Sequence, residues 1–148
     1  MLKKWNNRFM NLAQEISTWS KDPRKKIGAV AIDPDDRRIL STGYNGFPKE
    51  ISDDIRLNDR EIKSDYIIHA EANCIYNATF TGISLKGAYL YVFGLPVCNE
   101  CAKAIMQVGI KKVFYSYDEL APEDLKWEQA FIKTRKMFDE ANVGVEML

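Results

Sequence analysis

From residue 88 to 147, short apolar runs take turns with amphipathic stretches of helical period, and this alternation restricts the fold more than any other feature of the chain. Residues 88–93 read as a strand, 98–108 as a helix stopped at Gly109, 113–117 as a strand, 122–141 as a longer helix, and 143–147 as a short final strand. Trp127, Ala130, Phe131, Thr134, Phe138 and Ala141 share one face of that longer helix. Strand, helix and strand in succession imply parallel neighbours joined by a right-handed crossover. Upstream, Trp5, Phe9, Leu12, Ala13 and Ile16 recur at helical spacing, and this first helix ends near Ser20-Lys21-Asp22-Pro23. Residues 27–32 and 39–44 read as strands around a turn at 34–37, so they pair as an antiparallel hairpin. Residues 45–65 are mostly polar and read as one long loop, a length that usually serves function. A helix over 69–80, stopped at Thr81-Gly82, follows it. These elements predict an α/β fold: a three-layer α/β/α sandwich around a five-stranded mixed sheet, without internal repeats.

The 148 residues, 46% of them hydrophobic, suit a single domain over 1–148. Lysine plus arginine equals aspartate plus glutamate, 21 of each, so no global field draws the chain to nucleic acid or an anionic membrane, and neither is expected as a stable partner. An anionic ligand must meet a local cluster, and the densest is Lys21, Arg24, Lys25 and Lys26. No apolar run is long enough to span a bilayer, and Met1-Leu2-Lys3-Lys4-Trp5 leads into a helix rather than a signal peptide, so a cytoplasmic location is expected. Three cysteines, an odd count, exclude a disulfide scaffold.

Two of those cysteines form Cys98-Asn99-Glu100-Cys101 at the start of a predicted helix, where the helix dipole favours the thiolate needed for metal binding. The only histidine, His69, opens another predicted helix, with Glu71 two positions on. If the two helix starts converge, two sulfurs and one imidazole make three protein ligands for zinc and leave one position for water, the pattern of a catalytic site. Two residues of an ideal helix turn Glu71 about 200° from His69. Glu71 therefore faces the same site only if His69 sits at the helix entrance. The plain alternatives are a first-turn acid favoured by the dipole and a redox cysteine pair, although a thioredoxin-like pair needs no histidine partner. Cys74 reads as a small buried apolar residue.

His69-Ala70-Glu71 followed by Cys98-Asn99-Glu100-Cys101-Ala102-Lys103 resembles the zinc-dependent cytidine deaminase superfamily. Ser20-Lys21-Asp22-Pro23, Gly43-Tyr44-Asn45-Gly46-Phe47-Pro48, Ser52-Asp53-Asp54, and Ala102-Lys103-Ala104-Ile105 with Gly109-Ile110-Lys111 narrow the resemblance to deoxycytidylate (dCMP) deaminases. It runs from about Trp5 to the C-terminus and implies a cytidine deaminase-like fold with dCMP as substrate, dUMP for thymidylate synthesis as product, and one Zn2+ per chain on His69, Cys98 and Cys101. By the same resemblance Glu71 is the acid-base catalyst, moving a proton from the attacking water to N3 and then to the departing ammonia. The Ala70 amide meets the pyrimidine O2, the Val97 carbonyl the exocyclic amine, Asn45 the sugar, and Ser20 or Lys21 the phosphate, with Arg24 and Lys25 as further candidates.

The resemblance also places Gly43, Tyr44, Asn45 and Gly46 beside an effector site between subunits of a homohexamer, where dCTP with Mg2+ activates and dTTP inhibits. The glycines have a local reason too, since they permit positive φ and close backbone approach. One departure stands out: proline usually precedes the first cysteine directly, whereas this chain reads Pro96-Val97-Cys98, which alters the wall where the amine would sit. A nucleic-acid or riboflavin-pathway deaminase would share the zinc site. A zinc-stabilised interaction domain would need no Glu71 and would fill the fourth ligand position.

Overall fold

A computed structural model describes residues 2–148. Helix α1 (Lys3–Ser17) leads into the hairpin β1 (Gly28–Ile32) and β2 (Ile39–Tyr44), then α2 (Arg60–Tyr66), α3 (Ala70–Thr81), β3 (Tyr89–Phe93), α4 (Asn99–Gln107), β4 (Lys112–Ser116), α5 (Leu125–Ala141) and β5 (Gly144–Met147). The five strands lie in the order β2-β1-β3-β4-β5. β1 is antiparallel to both β2 and β3, while β3, β4 and β5 run parallel, so the sheet is mixed as the helix-strand alternation requires.

The inner strands are apolar on both faces, and their two-residue period sorts them between two cores. Val30, Ile32, Tyr91 and Phe114 meet the stripe Phe9, Met10, Ala13 and Ile16 of α1. Ala29, Ala31, Leu90, Val92, Val113 and Tyr115 face the opposite way and are covered by α3, α4 and α5 through residues such as Ile75, Ile105 and Phe131. At about 1.5–3 kcal/mol for each fully buried large side chain, these faces hold the three layers together. Among the described residues no helix is long and apolar enough to cross a membrane.

The structure departs from the sequence reading in three places. Residues 45–65 are not one loop: a 3-10 turn, Ile55–Asn58, and then α2 occupy its second half. Asp54 accepts from the Arg56 amide at 3.0 Å, and Asp59 accepts from the Glu61 and Ile62 amides at 3.1 Å. These caps start two short helical pieces that carry no apolar stripe, which is why periodicity misses them. The predicted 122–141 helix begins as a 3-10 turn, Pro122–Asp124, before α5 proper. Neither Gly43 nor Gly46 has positive φ; among the described residues the positive-φ glycines are Gly82, Gly87, Gly94 and Gly109. Gly43 serves close approach instead, because a Cβ there would lie 2.3 Å from the Cys74 amide nitrogen and 2.6 Å from the Ala70 carbonyl oxygen. β2 thus touches the first turns of α3 backbone to backbone.

Candidate active site

His69 and Cys98 are the N-cap residues of α3 and α4, with extended backbones at φ −67°, ψ 154° and φ −76°, ψ 161°. Caps lie outside the helical rotation, so His69 and Glu71 are freed from the 200° divergence of an ideal helix. The residue before His69 is pinned: Ile68 and Gly46 exchange backbone hydrogen bonds of 2.8 and 3.1 Å. The His69 Nδ1 lies 3.5 Å from the sulfur of Cys98 and 3.5 Å from that of Cys101, and the three ligand atoms all fall within 4.8 Å of one another. A tetrahedral zinc with usual Zn–N and Zn–S bonds spaces such atoms about 3.6 Å apart. The donor set and its spacing therefore fit zinc with one position left open.

The electrostatics agree with a shared site. Hydrogen bonds from Cys101 and then His69 pull the Cys98 thiol down to about 4 despite its burial. Cys101 is pushed up by its hydrogen bond to Cys98 and by burial. His69 is raised, chiefly by its bond to Cys98. Glu71, 4% exposed, is pushed up to about 7 by burial, and the charge of Cys98 adds to the rise. The cluster opens into a cavity of about 480 Å³ whose inner wall includes Ile27, Asn45, Ala70, Glu71, Leu95 and Pro96. Trp127 closes one side with its ring edge-on to His69, the centroids 5.6 Å apart.

The family described as the cytidine and deoxycytidylate deaminase zinc-binding region matches residues 3–117. The chain belongs to that family. It is 39% identical to a probable deoxycytidylate deaminase of Drosophila melanogaster over 96% of this chain and 70% of that protein. It is 38% identical to the deoxycytidylate deaminase of Homo sapiens over 81% of this chain and 68% of that protein. A crystal structure of dCMP deaminase from the cyanophage S-TIM5, in complex with dCMP and dUMP, superposes with a TM-score of 0.80 at 23% identity, covering 100% of this chain and 99% of that one, which speaks to the fold.

Within this deaminase architecture the other expected site residues divide. Asn45 lines the cavity, yet its amide is already anchored: Oδ1 accepts from the Ile27 amide at 2.9 Å and Nδ2 donates to the Lys25 carbonyl at 2.8 Å. The buried Ser20 hydroxyl donates to the Asn45 carbonyl at 2.8 Å and does not line the cavity. Lys21 also stays outside the lining, bound to Asp53 at 2.8 Å. The Val97 carbonyl accepts from the Thr134 hydroxyl of α5 at 2.8 Å, while Pro96 supplies the wall beside it. Ala70, fully buried, lines the cavity at the first position of α3, where an amide has no partner within its own helix. Gly43, Tyr44 and Gly46 are not among the lining residues.

Sequence reasoning missed Arg60, Lys63 and Lys126 on the lining and read Trp127 and Thr134 as ordinary positions of an apolar helix face. A cap signal at Asp59 could have found α2, and with it Arg60 and Lys63. No local signal marks Thr134, whose partner is 37 residues away.

Proposed function

We propose that this chain hydrolyses dCMP to dUMP and ammonia as a single deaminase domain over 1–148. The observation that carries the reading is the buried Glu71 carboxyl in the cavity lined by His69 and Cys98, whose ligand atoms cluster with that of Cys101 within 4.8 Å. The close relatives named as deoxycytidylate deaminases support the choice of substrate. His69, Cys98 and Cys101 would hold a zinc ion, which when bound would lower the pKa of a water to about 7. Glu71, itself pushed up to about 7, is suited to both halves of the proton transfer near neutral pH. It takes the proton of the attacking water as oxygen adds to C4, gives it to N3, and assists the C4–N bond to break as ammonia departs. The Ala70 amide donates to the pyrimidine O2. The Val97 carbonyl keeps one lone pair beyond its bond from Thr134, and that lone pair accepts from the exocyclic amine. Asn45, held by two fixed partners, turns its remaining amide hydrogen to the sugar.

Control by nucleotides belongs to the same proposal: dCTP with Mg2+ activates and dTTP inhibits at Gly43, Tyr44, Asn45 and Gly46, between subunits of a homohexamer. It is supported by the 40% exposure of Tyr44 and by the open space around Gly46, where a Cβ would meet nothing nearer than 3.9 Å. The deciding experiment measures zinc content and ammonia release with dCMP, dCTP, cytidine and a cytosine-containing oligonucleotide, each with and without dCTP or dTTP as effector. Zinc near one per chain and turnover strongest on dCMP are expected. Preference for the oligonucleotide, or full zinc without turnover of any cytosine compound, would refute the reading.

A further inference from the structure

Helix α2 forms part of the cavity wall without belonging to either core. Arg60, Lys63 and Ser64, which share one face at helical spacing, line the cavity. None of the seven residues of α2 is buried, and its Ile62 is 40% exposed. Tyr66, at its end, meets the Phe47 ring with the centroids 5.6 Å apart. The inward hold along the helix is Lys63, whose Nζ lies 3.1 and 3.0 Å from the two carboxylate oxygens of Asp22. Their side chains are 13% and 4% exposed, so solvent screens the pair little. Among the described residues no other side chain of α2 makes an ion pair. Asp22, by contrast, stands on a fixed loop. Its Oδ1 also accepts the Arg24 and Lys25 amides at 2.9 and 3.2 Å, its own amide donates to the Ser20 hydroxyl at 3.2 Å, and Asn45 holds the Lys25 carbonyl at 2.8 Å. A second pair, Lys25 with Asp124 at 3.0 Å, ties the same loop to the turn before α5.

We propose that Asp22 and Lys63 are positioning residues for the deamination, their ion pair holding α2 in place as a wall of the substrate cavity. The kinetic consequence rests on the deaminase reading above; the structural one does not. A helix without a buried side chain gains little from apolar packing, and one this short is not stable on its own. A buried ion pair adds little net stability, but it selects one geometry, because any displacement of α2 leaves the Asp22 charge buried without its partner. The pair therefore sets the population of the complete wall. The zinc ligands stand apart from this: Ile68, between α2 and His69, is pinned to Gly46 on both its backbone groups, so α2 can move without moving His69. Loss of the pair lowers the fraction of protein with a complete cavity and weakens the apparent substrate affinity by that fraction, while bound substrate restores the wall before the chemical step.

The test compares Lys63→Met, Lys63→Arg, Asp22→Asn and Lys25→Met with wild type by amide hydrogen exchange of the substrate-free, zinc-loaded protein and by KM and kcat on dCMP. Residues 60–66 should exchange about 10-fold to 100-fold faster in Lys63→Met and Asp22→Asn, the scale of one charged hydrogen bond lost from a local opening equilibrium. Exchange in β1 and β3 should be unchanged, which verifies folding. Lys63→Arg keeps the charge and should stay near wild type, and Lys25→Met breaks the other pair and should leave α2 as protected as before. Zinc content should hold, KM should rise by about 10-fold in both Lys63→Met and Asp22→Asn, and kcat should stay within a few-fold. The sign for Asp22→Asn separates this role from direct binding: a lysine that itself read an anion on the substrate would bind it better beside a neutral Asn, so KM would fall. That fall, equal loosening of α2 by Lys25→Met, or α2 exchange within about two-fold of wild type in Lys63→Met would overturn the inference and leave dCMP deamination standing. If the wild type does not turn over dCMP, the proposed function falls, and the exchange measurement by itself decides whether the pair holds α2.

Discussion

Thr134→Val asks whether one hydroxyl on α5 holds the segment that carries a zinc ligand. Thr134 is fully buried, and its Oγ1 donates to the Val97 carbonyl at 2.8 Å, one residue before Cys98. Valine keeps the branched shape and removes the donor, leaving a carbonyl buried with Val97 short of its partner. An unsatisfied buried acceptor costs about 1–3 kcal/mol. The second contact of the hydroxyl, 3.3 Å to the Ala130 carbonyl, adds little, since that oxygen already accepts within α5. For a domain of this size the loss corresponds to a fall in Tm of roughly 3–10 °C. Because Val97 leads directly into Cys98, the zinc-loaded variant should also release metal to a colorimetric chelator faster than wild type. Thr134→Ser restores the donor and loses a methyl worth about 1 kcal/mol, so it should recover the slow metal release but not the whole of the Tm. Two results would refute the reasoning: a Tm for Thr134→Val within about 1 °C of wild type, or equal metal release from the serine and valine variants.

Glu71→Gln should keep zinc and lose about 10²-fold to 10⁴-fold in turnover, measured as ammonia release, since glutamine fills the space and carries no proton. The same substitution should stabilise the metal-stripped protein with a definite pH dependence. Burial raises the Glu71 carboxyl from 4.5 to about 7, so its ionisation opposes folding progressively between those values; the variant should match wild type near pH 4 and exceed it by roughly 3 kcal/mol at pH 8 in denaturant unfolding. Gly43→Ala must displace α3, whose backbone lies 2.3 Å from the new Cβ, and should lower stability by about 1–3 kcal/mol or more whether or not dCTP is present; a loss confined to effector response would contradict the packing role. Thiol titration should find two groups released by zinc chelation and a third only on unfolding, because Cys74 is fully buried and burial pushes its thiol up to about 12.

What the sequence determined is what local pattern and residue chemistry carry. Alternating apolar runs and amphipathic stretches encode a mixed sheet with helices on both faces, because a strand buried on two sides and a helix with one apolar stripe each demand a partner layer. His69, Glu71, Cys98 and Cys101 are equally legible, since few side chains serve as zinc ligands or proton carriers and all four stand at predicted helix starts. Tertiary structure decided how those starts are used: His69 and Cys98 are caps rather than helical residues, and only that offset allows Glu71 to share the cavity. It also decided the roles of polar groups whose partners are remote in sequence. Lys21, in the densest basic cluster, turns out to Asp53, while Arg60, on a helix without an apolar stripe, lines the cavity. Thr134 meets Val97 across the gap between α5 and the start of α4, and Gly43 is a glycine because α3 leaves no room for a Cβ. Pattern reports which face of an element is buried, but the partner of a hydrogen bond or a charge depends on which elements pack together, and no short window of sequence holds that information.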